Sequence, residues 1–215
     1  MKVRSRVRWA GLAGAVVAGC AAVFAFGPSA SKKARAEDPP GLTQADIRHI
    51  VEYAVHKADS LNSPLRSLPA VQRTCKMQIA IVDRAGNLLQ TYTMRDAWEG
   101  SLDIAIAKAH CADFFSSDQN AYTSGFIGQL SRPDKGNGAP LYLIEASNQV
   151  GITGEAHKRN GLITFPGGIS LYKNNHLVGG LGISGDTVEN DYAVAKVGAT
   201  GFLAGHDQAK SPDYP

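Results

Sequence analysis

Gly179, Gly180, Gly182 and Gly185 fall in and just after the apolar run Leu177 to Ile183, which reads as a β-strand. Glycine inside a strand weakens it, because its backbone loses more freedom on folding and it offers no side chain to pack. A strand that tolerates this many glycines implies an element lying hard against its backbone. A phosphate-cradling loop is the rival reading, but the run lacks the Gly-Lys-Ser/Thr that such a loop uses.

The rest of the chain supplies the partners of a sheet. Thr43 followed by Asp46 has the spacing of a capping box, and Ile47, Ile50, Val51, Ala54, Val55 and Ala58 recur at helical spacing, predicting a helix to about Leu61. Ser63 to Pro69 is a loop. Met77 to Val82 and Leu88 to Met94 read as strands joined by the turn Asp83-Arg84-Ala85-Gly86-Asn87, a β-hairpin. Leu102, Ile104, Ala105, Ala109, Ala112 and Phe115 outline a second helix from Ser101, and Ser116 to Pro140 is a long polar connection with a short helical or apolar piece near Ile127 to Leu130. A short apolar segment, Leu141 to Glu145, and a polar stretch, Asn148 to Asn160, precede Pro166-Gly167-Gly168. Ile169 to Lys173 and Leu177 to Ile183 form a second hairpin across Asn174-Asn175-His176, and Asp186-Thr187 caps a last helix running to about Leu203. Helix, hairpin, helix, hairpin, helix is an α+β order with an antiparallel sheet.

Charge separates the two ends of the chain. The 215 residues carry 22 Lys and Arg against 19 Asp and Glu, but seven of the cations and none of the anions lie in residues 1–36. The remainder, with 15 basic and 19 acidic residues, is near −4. Its acidity argues against a nucleic-acid partner, which would need a basic face on the folded part. The N-terminal segment has the layout of an export signal: basic Met1 to Arg8, apolar Trp9 to Phe26, then Ala34-Arg35-Ala36 as an A-x-A cleavage site. Export to the periplasm or outside the cell is the expectation. Two alternatives leave the chain at a membrane: an uncleaved apolar anchor, or lipidation of Cys20 in the lipobox-like Val17-Ala18-Gly19-Cys20. The layout is then signal 1–36, linker 37–41, one domain at 42–205 and a tail at 206–215. Cys75 and Cys111 are the domain's cysteines, and in an oxidising compartment they either form one disulfide or stay as thiols.

Asp83-Arg84-Ala85-Gly86-Asn87-Leu88, Met94-Arg95-Asp96-Ala97, Ala105-Ile106-Ala107-Lys108-Ala109, Phe165-Pro166-Gly167-Gly168, and Gly179 to Gly185 leading to Glu189-Asn190-Asp191 occur in an order that resembles the GlcG/HbpS family. The resemblance covers about Leu42 to Gly205. It implies a single domain with five antiparallel strands flanked by helices, layered as in profilin, and assembly into hexamers or octamers. It also implies binding of a small cofactor, most often haem, as in secreted haem-binding relatives. Other relatives are domains of cobalamin adenosyltransferases and proteins of glycolate-utilisation operons, so an enzyme or accessory protein of a periplasmic oxidation pathway is the alternative. Where the family has K-A-x-T-A, this chain reads Lys108-Ala109-His110-Cys111-Ala112, with Cys111 in place of a threonine linked to haem binding in some relatives. Gln149 to Arg159 is an apparent insertion.

A haem iron accepts imidazole, thiolate or thioether. The candidates are His110, Cys111 and Met94, with Lys108, Arg95 and Lys76 as propionate partners and Phe165, Gly167 and Gly168 as pocket lining. Helix neighbours differ by about 100° in direction, so at most one of His110 and Cys111 faces iron. The absence of C-x-x-C-H excludes covalent attachment. His49 and His56, seven apart on the first helix, could hold a surface metal with Glu52 or Asp59 or simply face water. Neither Ser124 nor Ser184 sits in a nucleophile elbow, and Asp83 with Asp96 is the one acid–base pair to consider, so non-catalytic binding is the expectation.

Overall fold

The computed structural model describes residues 41–67, 69, 73–131 and 161–205, and the backbone of 209–210. The export segment, the linker up to Pro40, Leu141 to Glu145 and the stretch Asn148 to Asn160 lie outside these residues.

Helix α1 (Gln44–Ser60) starts at the expected capping box: the Thr43 hydroxyl accepts from the Asp46 amide at 3.2 Å, and the Asp46 carboxylate accepts from the Thr43 amide at 2.7 Å. Strands β1 (Gln78–Asp83) and β2 (Leu88–Thr93) form the first hairpin. Its turn is built by Asp83, whose carboxylate accepts from the amides of Ala85 and Asn87 at 2.9 and 2.8 Å, while Gly86 takes φ 80°. Helix α2 (Ser101–Phe114), the two-residue strand β3 (Asn120–Ala121) and helix α3 (Ser124–Ser131) follow. Strands β4 (Gly168–Lys173) and β5 (His176–Ser184) turn through Asn174 and Asn175 at φ 52° and 64°, the left-handed pair that a tight hairpin requires. Helix α4 (Val188–Gly198) is capped by Thr187, and β6 (Ala209–Lys210) pairs in parallel with β3.

The main sheet has the order β2-β1-β5-β4, antiparallel throughout, so among the described residues four of the five expected strands are present. Alternation along the strands divides its faces. Ile79, Ile81, Ile169, Leu171, Leu181 and Ile183 point to one side, where they pack with Ile47, Ile50 and Ala54 of α1 and Val194 and Ala195 of α4. The other side carries the glycines. Gly168, Gly182 and Ala80 are cross-strand neighbours in one row, and α2 lies directly on it. A β-carbon on Gly182 would meet the Ala105 carbonyl oxygen, one on Gly180 that of Ala109, and one on Gly168 that of Lys108. The close neighbour of Gly180 and Gly182 is therefore the backbone of α2, whereas Gly179 and Gly185 lie against the backbone of Val82 and Lys76.

Two expectations are corrected. Helix α2 has no single apolar stripe: Ala105 to Asp113 are all buried, because the helix sinks onto side-chain-free strands and its flanks are covered too. The last helix stops at Gly198, not Leu203. Gly201 at φ 87° reverses the chain, the Phe202 amide donates to Ala199 and its carbonyl accepts from Tyr172 at 2.7 Å, which buries the Phe202 ring in the core. The short helical or apolar piece expected near Ile127 is the two-turn helix α3, whose Ser124 hydroxyl donates to the Phe165 carbonyl at 2.6 Å and accepts from the Gly168 amide at 2.8 Å. Cys75 and Cys111 are buried in separate core clusters and form no disulfide. Burial, reinforced by the neighbouring Asp186 carboxylate, pushes the Cys75 thiol up to about 12.

Candidate functional site

The residues expected to bind a cofactor divide by location. Lys108 is 1% exposed; its ammonium donates to Asp191 of α4 at 2.7 Å and to the Ile183 carbonyl at 3.0 Å, close to Gly167. It thereby ties α2 on one face of the sheet to α4 on the other. Burial pulls the Lys108 ammonium below its ordinary value and pushes the Asp191 carboxyl up to about 6, each shift opposed by the partner's charge. Gly167 sits at φ 118° and its carbonyl accepts from the Ile183 amide at 2.9 Å. Lys108, Gly167 and Gly168 are thus brought together, around an ion pair.

His110 and Cys111 point to different sides of α2. His110 is fully buried, its Nε2 donates to the Gly86 carbonyl at 3.1 Å, and its ring stacks on Phe114 at 5.2 Å. Cys111 packs with Ile127 and Leu162. Met94 is buried in the main core, where its sulfur accepts from the Met77 amide at 3.4 Å. Arg95 extends into solvent, and Phe165 is 55% exposed beside the N-terminus of α3. Asp83 ends β1, whereas Asp96 follows Met94 near the other end of that strand, about six residues or 20 Å away. They form no acid–base pair. His49 Nε2 donates to the Thr200 carbonyl at 3.1 Å and stacks on Tyr53 at 4.1 Å. Among the described residues no three His, Cys, Asp or Glu side chains converge on a metal position.

Two hollows among the described residues lie beside α1. A groove of about 560 Å³ runs between the flank of α1 and the exposed face of β2, with Ile47, Val51, Val55 and Tyr92 as its apolar lining and Arg48 and His56 among its polar groups. A second hollow of about 480 Å³, reached past Tyr53 and Val197, shares Glu52 and His56 with it. The groove exists because α1 covers the sheet from β1 inward and leaves β2, the edge strand, half dressed: Tyr92 is 41% and Leu88 45% exposed. An apolar trough of this size with an exposed imidazole and a guanidinium has the donor set that a haem needs, a nitrogen for iron and a cation for carboxylates. Residue patterning missed it because its walls come from a helix flank and a strand face; the signal was present in the apolar residues Val51 and Val55, which broaden the stripe of α1 beyond what the core consumes.

Comparison with known proteins agrees with this architecture. The chain is 28% identical over 170 residues to the corrinoid adenosyltransferase PduO of Salmonella typhimurium, a match that spans 79% of this chain and 41% of that protein. A 15.0 kDa protein encoded between dhaT and dhaS in Citrobacter freundii is 29% identical over 155 residues, 72% of this chain and 87% of its own length. Among solved structures, the PduOC:heme complex superposes with a TM-score of 0.58 at 26% identity, covering 79% of this chain and all of that one. HbpS shares the fold, with a TM-score of 0.51 at 19% identity over 76% of this chain and 91% of its own. A family model described as haem degrading protein HbpS-like matches residues 42–200, and the chain belongs to that family.

Proposed function

We propose that this chain is an exported, oligomeric haem-binding protein that holds haem in the groove between α1 and β2. The observation that carries the reading is the groove itself: apolar along Ile47, Val51, Val55 and Tyr92, with the exposed His56 imidazole and the Arg48 guanidinium at its border. His56 would hold the iron and Arg48 a propionate, while the aliphatic wall keeps water from the porphyrin face. The likeness to a domain solved with haem supports the ligand, and the basic, apolar segment ahead of Glu37 supports export. Haem breakdown is a second reading, favoured by the description of the family. It would require oxygen and a reductant, and the groove's openness to solvent permits both.

Titration with haemin, followed at the Soret band, tests the proposal. Saturable binding that shifts or weakens in His56→Ala and weakens in Arg48→Ala is expected. An unchanged spectrum in His56→Ala together with a changed one in His110→Ala or Cys111→Ala would move the site to α2, and a flat titration of folded protein would overturn haem binding. Loss of the Soret band under ascorbate in air would support breakdown.

A further inference from the structure

Tyr53 is 43% exposed, but its ring is held in place. It lies one turn along α1 from His49, a spacing that brings side chains together on a helix face, and the two rings stack with centroids 4.1 Å apart at 23°. Behind them Phe202, buried in the core, meets His49 edge-on at 5.9 Å and 71°. The Thr200 carbonyl accepts from His49 Nε2 at 3.1 Å, which fixes both the orientation of that ring and its tautomer. Thr200 and Phe202 flank Gly201, whose φ of 87° turns the chain back after α4. The result is a column of three rings that starts in the core and ends in a half-exposed tyrosine. The hollow of about 480 Å³ opens against this last ring, with Val197 of α4 as one wall and Glu52 and His56 of α1 as the other.

We infer that this hollow is a second binding site, for a planar aromatic cation whose ring stacks on Tyr53 and whose charge lies beside Glu52. Its volume falls within the range of small-molecule pockets, about 300–1,000 Å³. A ring face carries negative potential and a ring edge positive, so a flat ring lying offset on Tyr53 gains an attraction that an alkyl chain lacks. Because His49 and Phe202 already order that tyrosine, little freedom is lost when a ligand settles on it. The lining decides the sign of the charge. Among the described residues that line the hollow, Glu52 is the one carboxylate and none is a lysine or arginine. The single cation of α4, Lys196, lies over the Tyr192 ring at 5.7 Å. A tyrosine face attracts cations as well, so ring and carboxylate favour the same ligand. Glu52 and His56 form the ridge between this hollow and the α1–β2 groove, which sets the two sites back to back. Tyr53 and Val197 do not line the groove, and the inference goes beyond haem binding without resting on it.

Calorimetric titration of the haem-free protein with tryptamine, a bicyclic ring that carries an ammonium, provides the test. Saturable binding is expected, weakened about tenfold in Tyr53→Ala and within about twofold of wild type in Tyr53→Phe, which keeps the ring. Glu52→Gln should weaken tryptamine about threefold and leave indole, a ring without the charge, unchanged. Nuclear Overhauser contacts between the tryptamine ring and the Tyr53 ring in the wild type give the same answer should Tyr53→Ala fail to fold. No saturable binding by the folded wild type, binding that Tyr53→Ala leaves intact, or binding lost in Arg48→Ala in place of Tyr53→Ala overturns the inference. Indole-3-acetate bound as tightly as tryptamine overturns the charge assigned to the ligand. These readouts contain no haem, so their outcome is independent of the haemin titration.

Discussion

Replacing Gly182 by alanine adds one methyl group at the point where α2 touches the sheet. Gly182 has ordinary backbone geometry, so the effect is steric. The new carbon would fall on the Ala105 carbonyl oxygen and lie 2.7 Å from the Ala109 nitrogen and 2.9 Å from the Ala105 carbonyl carbon, where ordinary contact begins at 3.4 Å. The helix must therefore lift by at least 0.5 to 0.7 Å, and no rotamer change can relieve the clash because the obstacle is main chain. A gap of about 0.5–1 Å forfeits a quarter to a half of the dispersion attraction of each contact pair that it opens, and α2 also touches β1 and β4. Overpacking relieved by side-chain movement costs about 1–3 kcal/mol; with a helix backbone as the obstacle, about 3 kcal/mol or more is expected. For a domain of this size that is a fall in Tm of roughly 6–12 °C. Urea titration and thermal melting followed by circular dichroism give both numbers. Gly100→Ala is the control, since φ is −63° there and nothing lies within 4 Å; it should change stability by less than about 1 kcal/mol. A Gly182→Ala protein within about 0.5 kcal/mol of wild type, with an unchanged m value, would refute the claim that glycine is required for helix contact.

Two further perturbations probe charge. Lys108→Met strands the Asp191 carboxylate, whose side chain is 3% exposed, and should cost about 3–5 kcal/mol, whereas Lys108→Met with Asp191→Leu should recover most of that loss in a urea double-mutant cycle. At the β4–β5 turn, the Leu177 amide at 2.8 Å and His176 at 2.9 Å hold the Asp118 carboxyl below its ordinary 3.8. Because the folded group titrates below the unfolded one, its contribution is complete above that value and is lost as pH falls through the lowered folded value. The Tm gap between wild type and Asp118→Asn should be flat above about pH 5 and shrink below about pH 4; a gap that widens on acidification would contradict the assignment.

What could be read from residues alone follows contact range. Both hairpins were legible because turn chemistry is local: Asp83, Gly86 and the Asn174-Asn175 pair specify their own backbone. The first helix was legible through its capping box. The glycine run announced that something must lie against β5, but the identity of that neighbour depends on Ala105 and Ala109, some seventy residues earlier, and no local signal encodes that approach. The short helix α3 was legible as a helical or apolar piece, but its seating was not, since Ser124, Gly125 and Gly128 find their partners at Thr164 to Gly168. At the site, Lys108 was recognised as important on α2, but its partner Asp191 lies 83 positions away. The groove depends on which sheet edge α1 leaves uncovered, which is a property of topology.

The seating of α2 on bare strand backbone also bears on how this site can change over time. An interface between a helix and a sheet is commonly keyed by interlocking side chains, so that altering one obliges its neighbours to adjust. Here the helix is indexed by its own carbonyls at Ala105, Lys108 and Ala109, and the side chains of His110 and Cys111 project toward other neighbours. The side chain at position 111 can change without disturbing the helix's register on the sheet. Three glycines thus set the helix in place and leave the chemistry along its flanks open to variation.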